Sequence, residues 1–324
     1  MRAVVVHRPG PEAEVEIVEV PTPQPGPGAI RIAVAAATVN PVDLMVRAGV
    51  GGTPFAAPRD RWGVGWDVAG TVDALGAGVT GFTVGQAVIG ISDRLDVSLG
   101  AQADYVVLEA GNVAPAPVSV PPVQAATIPL NGLTAIQALD ALDLTSTDTL
   151  LVTGAAGAVG GFAVELAAAR GVRVIASASP ADEHTVRALG ATDFVPRQAY
   201  LPDAVRALVP GGVDAALDAA ALGPTTLAAV RGGGRFVSIS VPNTPIPLRA
   251  TVVRTVLVRA DRAQLDQLVA HVDAGELTLR VAETLPLASV EAAQKRLAAG
   301  GLRGRLVLYP VTDHGWHVSR ATRG

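Results

Sequence analysis

The stretch from Leu150 to Gly160, Leu-Leu-Val-Thr-Gly-Ala-Ala-Gly-Ala-Val-Gly, restricts the fold more than any other part of the chain. Apolar and β-branched residues run into a glycine cluster. An unbroken amphipathic run follows from Phe162 to Arg170, and a second apolar segment spans Val172 to Ala176. Strand, glycine turn, helix and strand within about 30 residues is the βαβ unit of a dinucleotide-binding fold. A glycine at the turn lets the backbone approach a pyrophosphate, and the free N–H groups of the helix start bind its negative charge. Against the pattern G-x-G-x-x-G, Ala155 stands in the first glycine's place, while Gly157 and Gly160 hold the other two. The spacing predicts a phosphate cradle built from Ala155, Ala156, Gly157, Ala158, Val159 and Gly160.

Other readings of this stretch fare worse. Gly157 and Gly161 are spaced as the G-x-x-x-G of packed transmembrane helices. Glu165 interrupts the run, however, and a span needs about 20 clean apolar residues. A buried core helix is expected instead, with no membrane partner. A phosphate-binding P-loop is excluded, because the single lysine, Lys295, is followed by Arg296 and no Gly-Lys-Ser/Thr exists. With 49% hydrophobic and 17% charged residues, the chain has ample material for sizeable cores, and with aromatics at 3% those cores must be Val, Ala and Leu. A net charge of −4 without a basic cluster argues against a nucleic-acid partner. The absence of cysteine excludes disulfides, thiolate nucleophiles and cysteine-ligated zinc. The apolar run at Met1 to Val6 is too short for a signal peptide, so a cytoplasmic location is expected.

Two rhythms divide the chain of 324 residues. The first 120 or so residues read as short apolar strands punctuated by Gly and Pro, with one short helix near Val42 to Ala48. Alternation along Glu14 to Val20 points Val15, Ile17 and Val20 inward. Pro121-Pro122 break this pattern, and strands then alternate with helices. Strands are expected at Leu150–Thr153, Val172–Ala176, Asp193–Val195, Ala215–Asp218, Phe236–Ile239 and Val256–Val258. Right-handed crossovers between them give an α/β, doubly wound parallel sheet. The segment after Arg262 does not extend that sheet and is expected to return to the N-terminal domain. The expected domains are therefore 1–122 with 262–324, and 123–261.

Several short motifs, in order, carry a family resemblance. They are Asn40-Pro41-Val42-Asp43, then Gly65-Trp66-Asp67-Val68-Ala69-Gly70-Thr71-Val72 followed by Gly76, Val79, Phe82 and Gly85, and then Pro129 to Ala135, Leu189-Gly190-Ala191-Thr192-Asp193 and Gly304-Arg305-Leu306-Val307-Leu308. From Arg2 to about Tyr309 the chain resembles the medium-chain dehydrogenase/reductase superfamily, and within it the zinc-independent quinone oxidoreductase (zeta-crystallin-like) branch. The resemblance implies a GroES-like β-barrel catalytic domain beside a Rossmann domain, and a homodimer. In zinc-dependent members the metal sits on a cysteine of the first motif and a histidine of the second. Those places look like Asn40 and Trp66, neither of which suits zinc. His314 and His317 in the tail read as a solvated end, so no metal is expected.

For the cofactor, the second strand of the unit ends in Ser177-Ala178-Ser179, where NAD-specific units place a carboxylate on the ribose hydroxyls. A missing carboxylate permits a 2′-phosphate. Ser177 and Ser179 match phosphate-contacting hydroxyls of the resembling family, and Arg197 falls where many members carry a tyrosine at this pocket. Asp182 stands where some members have a lysine, which weighs the other way unless Asp182 or Glu183 merely caps the next helix. NADPH is the expected coenzyme.

No Ser-His-Asp arrangement, G-x-S-x-G or H-E-x-x-H is present. Without a metal or strong acid, the fitting substrate is a small electrophile already activated by conjugation, a quinone or an α,β-unsaturated carbonyl. Asn40 is either the hydrogen-bond donor to the substrate oxygen or a turn residue, and Asp43 reads as a helix cap. Thr134 and the Ser238-Ile239-Ser240 strand end are expected beside the nicotinamide. Met45 replaces a tyrosine found next to the substrate in some members, and Trp62 and Trp66 either wall the cleft or pack in the core. Two alternatives stay open: an enoyl or 2-alkenal reductase of a biosynthetic pathway, and a non-catalytic NADPH-binding, crystallin-like protein.

Overall fold

A computed structural model describes residues 1–49 and 60–310. The expectations placed on His314, His317 and the end of the last segment lie outside the described residues. The N-terminal part is β-rich, running through β1 (Arg2–Val6), β2 (Glu16–Glu19), β3 (Ala29–Val39), the short helix α1 (Pro41–Arg47), β4 (Trp62–Gly63), β5 (Asp67–Leu75), β6 (Ala87–Ile91), β7 (Tyr105–Glu109) and β8 (Val113–Pro115). Pro41 opens α1, where a missing N–H costs nothing. Strands β2, β1 and β4 form a small antiparallel sheet, which tucks Ile17 and Val15 against Val4 and Val6.

The middle of the chain contains α2 (Pro122–Ala125), α3 (Pro129–Leu142), β9 (Thr149–Thr153), α4 (Ala158–Ala169), β10 (Arg173–Ala178), α5 (Glu183–Ala188), β11 (Asp193–Pro196), α6 (Leu201–Leu208), β12 (Val213–Asp218), α7 (Pro224–Ala228), β13 (Val230–Ser238) and β14 (Val252–Thr255). Its six strands are all parallel, in the order β11-β10-β9-β12-β13-β14. Numbered from β9, that order is 3-2-1-4-5-6, the doubly wound arrangement whose direction of winding reverses between its first and fourth strands. Every residue of β9 is buried, because helices cover both faces of a parallel sheet. The last strand is not the expected Val256–Val258. It lies four residues earlier, where Val252 to Thr255 pair with Arg235 to Ser238 of β13. The whole run from Thr251 to Val258 is rich in β-branched residues, so propensity could not choose between its halves; the register with β13 did.

The return segment comprises α8 (Arg262–Asp273), β15 (Val281–Pro286), α9 (Val290–Ala298) and β16 (Arg305–Tyr309). Strand β16 runs antiparallel to β3, pairing Leu306 with Val39, and β15 joins β16 in parallel. The resulting sheet is β15-β16-β3-β5-β6-β8, with β7 also on β3. Leu265, Leu268 and Val272 of α8 are buried in a core cluster shared with α3 and α4. Among the described residues, no helix is long and apolar enough to cross a membrane.

Candidate functional site

The glycine turn is built one residue earlier than the fingerprint suggests. Gly154, directly after β9, takes φ +62°, and a Cβ there would lie 3.0 Å from the carbonyl oxygen of Ala219. Ala155, in the place of the first fingerprint glycine, is fully buried and needs no left-handed backbone. Gly157 donates its N–H to the oxygen of Gly154 at 2.8 Å and serves as the N-cap of α4 with no side-chain cap. The N–H groups of Ala158, Val159 and Gly160 therefore begin a helix without intrahelical acceptors. At Gly160 a Cβ would collide with the carbonyl of Gly154, so only glycine lets α4 pack this close to the turn. Orphan donors, a bare N-cap and the positive end of a 12-residue helix fit the diphosphate of a dinucleotide.

Ser177 and Ser179 lie at the C-terminal end of β10, next to this turn, and the carbonyl of Ser177 accepts the N–H of Ala155 at 3.2 Å. The backbone N–H of Arg197 bonds to the oxygen of Ala178 at 2.8 Å, which places Arg197 beside both serines. Its side chain is exposed and has no partner among the described residues. Asp182 is buried nearby and held by the guanidinium of Arg303. A carboxylate that weighed against a 2′-phosphate is thus neutralised by an arginine distant in sequence.

Further along the same edge of the sheet, the hydroxyl of Thr153 donates to Asp218 at 2.6 Å. Asp218 also accepts the N–H groups of Leu222 and Gly223, at 3.2 and 2.6 Å, and so shapes the loop after β12. Ser238 ends β13, and its hydroxyl exchanges hydrogen bonds with the backbone of Ser240. Ile239 between them packs against the core. Neither Thr153 nor Asp218 was singled out from sequence. The only available signal was a polar residue closing each of two otherwise apolar strands.

Asn40, read as either a substrate donor or a turn residue, is engaged within the fold at the N-cap of α1. Its side chain is fully buried, and its amide N–H groups donate to Thr38 at 2.8 Å and Asp67 at 2.7 Å. As placed, it has no N–H left for a substrate oxygen. The cause is Asp67, a buried carboxylate that also takes the hydroxyl of Thr38 and the N–H of Leu130 at 2.6 Å. Asp43 does cap α1, accepting the N–H of Asn40 at 2.8 Å, and it also takes Gly65 N–H at 2.8 Å and the amide of Gln102 at 3.1 Å. Burial pushes the Asp43 carboxyl up to about 7, even though those N–H donors pull the other way, and the neighbouring Asp67 adds to the rise. Asp67 is raised for the same reason, desolvation. Arg305 faces both from β16, buried, and is bonded to Asn131 of α3. This buried network joins both lobes beneath the site.

Thr134 is likewise committed. Its hydroxyl donates back to the carbonyl of Leu130 at 2.6 Å, a common arrangement for threonine within a helix. Trp66 packs in the core with Ala36 and Ile89, while Trp62 is half-buried against Val4 and Val6. Met45 lies exposed on α1. Among the described residues, no three His, Cys, Asp or Glu side chains converge as metal ligands would.

Comparison with known proteins agrees with this architecture. Residues 26–118 match the alcohol dehydrogenase GroES-like domain, and residues 189–308 match a family described as zinc-binding dehydrogenase. The chain is 36% identical to the trans-enoyl reductase himH of Aspergillus japonicus over 175 residues, spanning half the length of each. Among solved structures, an NAD-dependent alcohol dehydrogenase superposes with a TM-score of 0.84 at 30% identity, over 96% of this chain and 100% of that one. The quinone oxidoreductase of Coxiella burnetii does so with a TM-score of 0.83 at 26% identity, over 96% and 99%.

Proposed function

Because this chain belongs to the medium-chain dehydrogenase/reductase superfamily, in its zinc-independent quinone oxidoreductase-like branch, we propose that it is an NADPH-dependent reductase of conjugated electrophiles, either quinones or α,β-unsaturated carbonyls. The observation that carries this reading is the uncapped start of α4 at the reversal point of the parallel sheet, with polar strand ends on both sides of it. In open parallel sheets a ligand binds at this reversal, outside the C-terminal ends of the strands.

We read Ser177, Ser179 and Arg197 as favouring NADPH over NADH, because the Arg197 backbone is bonded to Ala178 between the two serines and its exposed guanidinium, without a partner among the described residues, is within reach of a 2′-phosphate there. Arg303 supports the same choice by holding Asp182. When bound, the reduced nicotinamide supplies a hydride, and the chain's task is to hold the acceptor against it and keep water away. Asn40 and Thr134 both have their hydrogens committed internally, so neither offers a proton donor to a substrate oxygen. That arrangement suits an acceptor whose charge spreads through conjugation onto an oxygen that solvent can protonate. The likeness to a trans-enoyl reductase favours the enoyl variant of this chemistry as a second reading. A homodimer is also proposed, through the β14 edge of the sheet, where Ile246, Leu248 and Val252 are exposed.

The deciding assay follows NADPH oxidation with a panel of quinones, enones and enoyl thioesters, and with saturated ketones as controls. Turnover of at least one conjugated class and none of the saturated ketones is expected. NADPH binding with no turnover across the panel would instead favour the non-catalytic, crystallin-like alternative.

A further inference from the structure

Arg280 lies just before β15, on the return segment, yet its guanidinium rests on the glycine turn of the other lobe. It donates to the carbonyl of Ala156 at 2.8 Å and to that of Gly157 at 2.7 Å. It reaches them across the first turn of α4, where a Cβ on Gly161 would collide with it. The glycine at 161, one beyond the fingerprint, is thereby explained. What surrounds this cation is unusual. It is half-buried, and both of its hydrogen bonds go to neutral carbonyls. Glu165 and Asp182 are the carboxylates that act on it, but Glu165 takes the N–H of Thr278 and Asp182 pairs with Arg303. Buried charges are ordinarily paired, so a half-buried guanidinium with no carboxylate in ion-pair contact among the described residues, beside the positive end of a helix, marks a place suited to an anion.

A second observation converges on the same spot. A small cavity of about 10 Å³, roughly the room of one water, is lined by Arg280, Arg305, Ala158 and Phe162. Arg305 is 8% exposed, and its Nε–H has no partner. Two guanidinium groups and the first residue of α4 therefore meet with donors to spare. Arg280 alone keeps three of its five N–H groups without a partner among the described residues.

We propose that Arg280 is a coenzyme-binding residue whose guanidinium bonds the diphosphate of the dinucleotide opposite the N-terminus of α4. This rests on the dinucleotide reading above. It adds that the return segment completes the site, so the anion is gripped from both lobes and affinity depends on their apposition. Lysine would supply charge without the fork that holds two carbonyls and a phosphate at once.

The test is calorimetric titration of the whole chain, Arg280→Ala and Arg280→Lys with NADPH, NADH and adenosine 2′-monophosphate, which has no diphosphate. Arg280→Ala should weaken NADPH and NADH by the same factor, about tenfold or more, and leave adenosine 2′-monophosphate unchanged. Inorganic pyrophosphate should compete with NADPH in the parent chain and lose that ability in the variant. Should Arg280→Ala fail to fold, Arg280→Lys carries the comparison, with a loss of several-fold for both coenzymes. Unchanged coenzyme affinity in either folded variant overturns the proposal. So does an equal loss for adenosine 2′-monophosphate, the result of a merely loosened turn. A parent chain that binds neither coenzyme removes the dinucleotide reading itself, and this inference with it.

Discussion

Thr153 and Asp218 are joined by a 2.6 Å hydrogen bond across the ends of two neighbouring parallel strands, at the point where the sheet reverses its winding. Asp218 is fully buried, and its other partners are the N–H groups of Leu222 and Gly223. One carboxylate thus ties two strand ends together and fixes the loop after β12. Asp218→Ala should cost about 3 kcal/mol of stability, because the buried donors of Thr153 and Gly223 are left unpaired in the interior. Thr153→Val removes one of three partners and should cost only about 1 kcal/mol. Urea unfolding of both variants checks the ratio; equal losses would mean that the loop contacts carry no weight.

Gly160→Ala should both destabilise the chain and abolish coenzyme binding. The added methyl meets the carbonyl of Gly154, and α4 must move off the turn, at about 2 kcal/mol. Gly111→Ala, where nothing lies within 4 Å, is the matched control and should be neutral in both measurements. NADPH binding retained by Gly160→Ala at parental affinity would contradict the close approach described here.

Arg197→Ala should erode the preference for NADPH. Loss of a charge-assisted contact to the 2′-phosphate should lower kcat/KM with NADPH about tenfold while NADH is unaffected. A variant that changes both coenzymes equally, or neither, would place Arg197 outside the pocket. It differs in this from Arg280→Ala, which should weaken the two coenzymes alike.

Asp43 should make stability fall as pH rises from about 4 to about 7. Its carboxyl is pushed up to about 7 in the fold, whereas in the unfolded chain it titrates near the ordinary value of 3.8. Between those values the folded state holds a proton that the unfolded state has released, so raising the pH favours unfolding. The stabilisation is complete below the unfolded value and lost as pH passes through the folded one. Asp67, raised by the same burial, acts in the same direction. Midpoints of urea unfolding across this range should slope less in Asp43→Asn than in the parent chain. Parallel slopes would show that Asp43 titrates normally.

The dimer proposed through β14 should dissociate when that edge is charged. Ile246 is 81% exposed and Leu248 56%, a high exposure for large apolar side chains beside an edge strand. Sedimentation of Ile246→Asp with Val252→Lys should give a monomer that still binds coenzyme. A parent chain that sediments as a monomer would remove the proposal.

Local order made much of this protein legible from its residues. The βαβ unit follows from Leu150 to Ala176, because hydrophobic period and glycine spacing are properties of neighbours along the chain. The doubly wound class, the family motifs and the turn glycines Gly157 and Gly160 were accessible in that way. What tertiary structure decided lies between residues far apart in sequence. Asn40 reads as either a substrate donor or a turn residue until Asp67, a buried carboxylate on the neighbouring strand β5, claims its amide. Asp182 reads as an obstacle to phosphate until Arg303 folds back onto it, and nothing in the sequence marks Arg280, which the return segment carries to the glycine turn. Even β14 was placed by its register with β13 rather than by its own composition. Propensity and periodicity act over a few residues, whereas the pairing of a buried charge depends on which partner the fold brings within about 3 Å.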